Sequence, residues 1–126
     1  MDFTYKRVGT KDFNMTVEAV ERTVRSHGFV LSRVHDIKAT LASKGFDIQP
    51  LRVFEVVLDS DGETSDPERN LVSVCRLHVF VEEGSVYVTA IRPTAISRAF
   101  PDRSAQDEAL ALEDSVVRLV DSVVDV

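Results

Sequence analysis

The sequence predicts an α+β domain: a mostly antiparallel sheet with helices packed on one face, in the order β-α-β-(short α)-β-β-β-α. Three observations predict it. The spacing of apolar residues switches between two and about 3.6 along the chain, the periods of a strand and a helix. The stretch "VFVEEGSVYV" joins two apolar runs by a tight Glu-Gly turn, which makes adjacent strands antiparallel. The chain has 126 residues, of which 44% are hydrophobic, enough for one core and one domain over 1–126.

The elements follow in order. Phe3 to Val8, "FTYKRV", alternates and gives a first strand. In "NMTVEAVERTVRSHG", Val17, Val20 and Val24 share one face while Glu18, Glu21, Arg22 and Arg25 point elsewhere, an amphipathic helix. Asn14 is its expected cap and Gly28 its left-handed end. Phe29 to Val34 is a second strand. Asp36 is placed to cap a short helix from Ile37 to about Lys44, closed by Gly45. Leu51 to Leu58 is a third strand, introduced by Pro50. "DSDGETSDPERN", residues 59–70, is an acidic surface loop. Leu71 to Val81 and Val86 to Ile91 are the hairpin strands, and Pro93 opens an irregular link. Ser104 with Asp107 resembles a capping box for a last helix whose apolar face runs through Ala105, Ala109, Leu112, Val116, Leu119, Val120 and Val123.

Charge and composition exclude several functions. The net charge is −6, and it is uneven: residues 1–58 balance at +2 and residues 59–126 at −8. An acidic chain without a basic, aromatic-interleaved patch is a poor match to phosphates, so no nucleic-acid partner is expected. No apolar run approaches the ~20 residues of a membrane span, and "MDFTYKRVGT" has no signal-type apolar region. One cysteine, Cys75, allows no internal disulfide, and cytoplasm is the expected compartment.

Both faces of the sheet read as apolar. On β-alternation Cys75, Leu77, Val79 and Val81 share one face of the fourth strand, and Val72, Val74, Arg76, His78 and Phe80 the other. Two helices cover one face only. A homodimer pairing the second face, with Phe54, Val56, His78 and Phe80 at its interface, would resolve the excess.

Five groups carry candidate chemistry. Cys75 is the one thiol, although alternation sends Arg76 and His78 to the face opposite it. His35 sits beside the start of the short helix, with Asp36 capping, where its imidazole could bind a small carboxylate or a metal; if His35 and Cys75 meet across neighbouring strands, the pair could ligate a metal or haem-type group. Arg92, Arg98 and Arg103 bracket the link before the last helix and could clamp an anion. His27 and His78 read as structural, His78 with a pH-sensitive contact in reach. Asp59, Asp61 and Glu63 alternate, but the glycine and the final ligand position do not fit a calcium loop. No zinc spacing, phosphate-binding glycine loop or nucleophile elbow occurs, and no cofactor is specified.

The segments "GFVLSRVHDIKATLASKGF" and "VCRLHVFVEEGSVYVTAIRP", with the final helix, resemble the domain of unknown function 302 family over about residues 10–124. The motif positions are Gly28-Phe29, Asp36-Ile37-Lys38, Cys75-Arg76 and Pro93. The resemblance implies a TATA-binding-protein-like β-α-β(4)-α fold and a tendency to dimerise; it implies no general activity, and the fold name implies no DNA binding. The family's Cys-Asn-Pro-like turn after the third strand is replaced here by "VVLDSDG", and the proline before the strand cysteine by Val74, which weakens a thiol reading. The composite expectation is a non-enzymatic dimeric domain binding a small ligand or protein partner. A small thiol- or histidine-dependent enzyme and a ligand-free interaction scaffold are the alternatives.

Overall fold

The computed structural model describes residues 3–58, 74–98 and 103–125, with side chains at all of these except 58 and 103–105. The elements are β1 (Thr4–Val8), α1 (Phe13–Ser26), β2 (Phe29–Asp36), α2 (Ile37–Ala42), β3 (Leu51–Leu58), β4 (Val74–Glu82), β5 (Ser85–Ile91), α3 (Pro93–Ser97) and α4 (Arg103–Asp125). The expected α+β order is present. One helix is added: α3 lies where an irregular link was expected. Pro93 stands in its first turn, where the missing N–H costs nothing and the fixed φ suits a helix.

Five strands form one sheet in the order β1-β5-β4-β3-β2, and every neighbouring pair is antiparallel. The turn between β4 and β5 uses Glu83 and Gly84, both at positive φ, as a two-residue hairpin of this twist requires. At the start of α1 the cap is Asp12, whose carboxylate accepts the Met15 N–H at 2.7 Å. The expected cap, Asn14, lies inside the first turn, because the helix begins at Phe13. Asp36 caps α2 as expected, accepting the Ala39 N–H at 3.0 Å. The Gly45 N–H reaches the Ala42 carbonyl and the Phe46 N–H the Leu41 carbonyl, a left-handed helix ending that places Gly45 at φ +88°.

The core lies between one sheet face and the helices α1 and α4. Ala19, Val20 and Val24 from α1 and Ala109, Val116, Leu119, Val120 and Val123 from α4 are buried against Phe29, Phe54, Val56, Leu77, Val79, Val88 and Ala90 from the sheet. Strand alternation in β4 is visible in burial: Cys75, Leu77 and Val79 are enclosed, while Val74, His78 and Phe80 are half-buried and Arg76 is exposed.

Register corrects one expectation. Phe54 stands opposite Leu77 and Val56 opposite Cys75, so both point to the helices, and both are 0% exposed. They share no face with Phe80 and His78. The face of β3 turned away from α1 and α4, here called the uncovered face because neither long helix lies on it, carries Leu51, Val53, Glu55 and Val57 instead. All of these but Glu55 are as apolar as the covered set, so composition did not phase the strand; pairing with β4 does.

β1 closes the far edge through α4. Asp121 accepts the Tyr5 hydroxyl and an Arg7 N–H, each at 2.7 Å, and Asp125 accepts a second Arg7 N–H at 3.0 Å. Lys11 Nζ donates to the carbonyls of Val123 and Val124 at 3.2 and 3.0 Å, satisfying acceptors that a helix end leaves open.

Candidate functional site

His35 and Cys75 do not meet. The β2–β3 register shifts between Leu31 and Arg33, so Ser32 is an extra residue that re-phases the rest of the strand. Beyond this bulge Arg33 pairs with Glu55 and His35 with Val53, on the uncovered face. Cys75 lies on the covered face, two strands away. Asp36 faces the covered side as well, beside Arg52, whose Nη2 donates to it at 3.0 Å. The expected His35–Asp36–Cys75 convergence is therefore absent, because the sheet itself separates its members.

Cys75 is 4% exposed, and burial pushes its thiol up to about 12. A nucleophilic cysteine needs a stabilised thiolate and access. This one has an apolar enclosure, and the cations nearest in sequence lie across the sheet.

The uncovered face holds a polar row instead. Glu55 Oε1 accepts from Arg76 Nε at 3.1 Å and Nη2 at 3.0 Å, and its Oε2 lies 3.5 Å from His35 Nε2. Burial pushes the Glu55 carboxyl up, but His35 and Arg76 outweigh it and hold it below the usual carboxylate range. His78 stands one row away, opposite Val53 on one side and Thr89 on the other. Burial, and then the Arg76 charge, lower its pKa and favour the neutral ring. Beyond it Phe80 stacks on Tyr87 with ring centroids 5.5 Å apart, and Lys6 Nζ sits 4.3 Å from the Tyr87 centroid. Leu51, Val53, Val57 and Val74 complete a half-buried apolar band that neither α1 nor α4 covers.

A second feature is a cleft of about 280 Å³ between α3 and α4, lined by Arg92, Thr94, Ser97, Arg98, Gln106, Leu110 and Glu113. Arg92 and Arg98 do border one space. The third expected arginine, Arg103, opens α4, and its side chain lies outside the described residues. The residue that sequence reasoning missed is Glu113. Its Oε1 accepts the Thr94 hydroxyl at 2.6 Å and the Thr94 N–H at 3.2 Å, and its Oε2 accepts from Arg92 at 3.0 Å. Burial pushes Glu113 up, but Arg92 and Thr94 prevail and hold it low. It caps α3 from another helix, a contact between residues 19 apart that no local pattern encodes. The sole hint was a carboxylate beside Leu112, on the apolar edge of α4.

The other candidates are quickly placed. His27 ends α1, its N–H donating to Val24. The acidic loop 59–70 lies outside the described residues. Among the described residues no three His, Cys, Asp or Glu side chains cluster to hold a metal ion.

The family model described as "Domain of unknown function DUF302" matches residues 5–123. The chain belongs to this family. A solved structure titled as an uncharacterized conserved protein DUF302 from Bacillus stearothermophilus is similar over 98% of this chain and 99% of that one, with a TM-score of 0.84 and 21% identity. At that identity the likeness shows the fold. No curated protein matches the chain. The residues that carried the DUF302 resemblance now have structural reasons. Gly28 takes φ +81° after α1, and Phe29 is buried. Asp36 caps α2, while Lys38 Nζ ties the next link through the Ile48 carbonyl at 2.6 Å and Asp47 at 3.2 Å. Cys75 fills the core, Arg76 pairs with Glu55, and Pro93 starts α3. These contacts serve the fold on both faces of the sheet. No helix among the described residues is long and apolar enough to cross a membrane.

Proposed function

We propose that this DUF302 protein is a non-enzymatic cytoplasmic binding module, one domain throughout, that works as a homodimer through the uncovered face of its sheet. The observation that carries this reading is the half-buried apolar band of Leu51, Val53, Val57, Val74 and Phe80, on a face that neither long helix covers. A part-exposed apolar band on a face away from both long helices is the kind of surface that marks an interaction site. His78 and Phe80 lie within this interface; Phe54 and Val56 do not. The TATA-binding-protein-like architecture implied by the resemblance accords with a sheet that carries its long helices on one face. The buried Cys75 speaks against the thiol enzyme, since a thiol raised to about 12 leaves almost no thiolate near neutrality.

The cleft between α3 and α4 supports a small-ligand reading alongside. Arg98 is exposed at its lip and can offer a guanidinium to an anionic ligand. Arg92 is already engaged by Glu113.

The test is sedimentation equilibrium together with native mass spectrometry. A dimer that Phe80→Asp converts to a folded monomer of unchanged helix content supports the reading. A wild-type protein that stays monomeric at high micromolar concentration, or a Phe80→Asp protein that stays dimeric, refutes the interface. Copurifying small molecules lost on Arg98→Ala would support the ligand cleft.

A further inference from the structure

The geometry points to a specific arrangement of that dimer: a two-fold axis running along the strands between β3 and β4, with Arg76 of each copy meeting Glu55 of the other. The inference rests on the proposed sheet-face dimer and adds to it the occupant's orientation and the charges that select it.

Strand register sets which residues can meet. β3 and β4 are paired residue against residue on the uncovered face: Leu51 with Phe80, Val53 with His78, Glu55 with Arg76, Val57 with Val74. A two-fold axis along the strands and midway between them exchanges the two columns. Each residue of β3 then lies over its own register partner in the second copy. Apolar Leu51 meets Phe80, Val57 meets Val74, and Val53 meets the His78 ring, whose neutral form this face favours. Glu55 meets Arg76. The ion pair within one chain becomes a ring of four alternating charges across the interface. Arg76 keeps about half of its side-chain surface exposed on this face, so it has donors left to share. Packed sheets lie about 10 Å apart, with side chains from both faces interdigitating, and an arginine spans that gap readily.

Other placements of the axis match less well. An axis along β4 itself stacks Arg76 on Arg76 and His78 on His78. An axis between β4 and β5 lays Phe80 over Tyr87 and His78 over Thr89, but β5 contains no carboxylate for Arg76. An axis between β2 and β3 gives Glu55 a partner in Arg33 but slides the overlap to the sheet edge, so that β4, with Phe80, overhangs. Charge complementarity and overlap are both met at β3/β4, and like charges directly opposed, as on an axis along β4, disfavour association. The interface would be isologous and closed, as two-fold pairing requires.

Charge reversal tests this directly. Arg76→Glu puts four carboxylates in the ring, and Glu55→Arg puts four guanidinium groups there. Each variant alone should raise the dimer dissociation constant at least about 100-fold. Mixing the two should restore association as a one-to-one heterodimer, because every crossing pair is then opposite in sign. Sedimentation and native mass spectrometry read the species, and circular dichroism confirms that each variant is folded. A second pair of variants avoids the ion pair: Val57→Asp on β3 should break the dimer, whereas Val8→Asp on the same face of β1 should leave it intact. A dimeric wild type whose two charge variants stay monomeric when mixed, or whose Val8→Asp dissociates as readily as Val57→Asp, overturns this axis and leaves the sheet-face dimer standing. A wild type that never dimerises overturns the underlying reading instead.

Discussion

Two phenylalanines on opposite faces of one sheet offer the sharpest test of how this chain is arranged. Phe54 is 0% exposed, packed beneath α1 and α4 beside Val56, Leu77 and Val79. Truncating it to alanine removes a ring from a closed core and leaves a cavity, which costs about 3–5 kcal/mol. A chain of this length loses about 4 °C of melting temperature per kcal/mol, so the Phe54→Ala protein should melt roughly 12–20 °C lower. Phe80 is half-buried on the other face, with Tyr87 as its stacking partner at 5.5 Å. Within one copy Phe80→Ala should cost only about 1–2 kcal/mol. Its larger effect should be on association. Urea unfolding followed by far-ultraviolet circular dichroism, repeated at widely separated protein concentrations, distinguishes the two. Wild type and Phe54→Ala should become more stable as concentration rises, by mass action, and Phe80→Ala should not. A Phe54→Ala loss below about 1 kcal/mol would show that this ring is not enclosed by the helices, and the face assignment would fall.

Native Cys75 should resist alkylation and react fully once unfolded, because with its thiol near 12 only about one molecule in ten thousand carries a thiolate at pH 8; rapid stoichiometric labelling of the folded protein would contradict its burial. Stability should climb with pH in two windows. The folded state depresses His78 below 6.5, so it binds fewer protons than the unfolded chain, and stability is complete above about pH 6.5 and declines on acidification below it. Glu113 is depressed below 4.5, so its contribution is present above about pH 4.5 and lost as pH falls through its folded value. His78→Leu should flatten the upper window and Glu113→Gln the lower, in urea midpoints measured across pH. Asp12→Ala should cost about 1 kcal/mol through the lost Met15 cap, whereas Asn14→Ala should cost much less. Gly45→Ala should cost about 1 kcal/mol from its φ of +88° alone, because nothing lies within 4 Å of the added methyl group.

What could be read from the chain divides along the range of the forces involved. Helices α1 and α4 and all five strands are local: valines at helical spacing and alternation in "FTYKRV" report them without reference to distant residues. Asp36 and Gly45 were legible for the same reason, since a cap and a left-handed ending act within a few residues. The faces of β3 were not. "LRVFEVVL" is apolar on both sides, so its phase comes from pairing with β4 across residues 59–73, whose length sets no register. The bulge at Ser32 likewise hides from alternation, and with it the side to which His35 turns. Pro93 read as the end of β5, although a proline opens a helix equally well. Glu113 was invisible because its partners, Arg92 and Thr94, belong to another helix.

The clamp on β1 has a bearing on how the molecule is made. Tyr5 and Arg7 are secured by Asp121, and Lys11 by the carbonyls of Val123 and Val124, partners 112 to 116 positions later. On a ribosome, β1 must therefore wait for β5 before it has a strand to pair with, and longer still, for α4, before its side chains are secured. Closing such distant contacts is entropically slow, so a nascent-chain force measurement should register the final gain in tension only when α4 has cleared the exit tunnel.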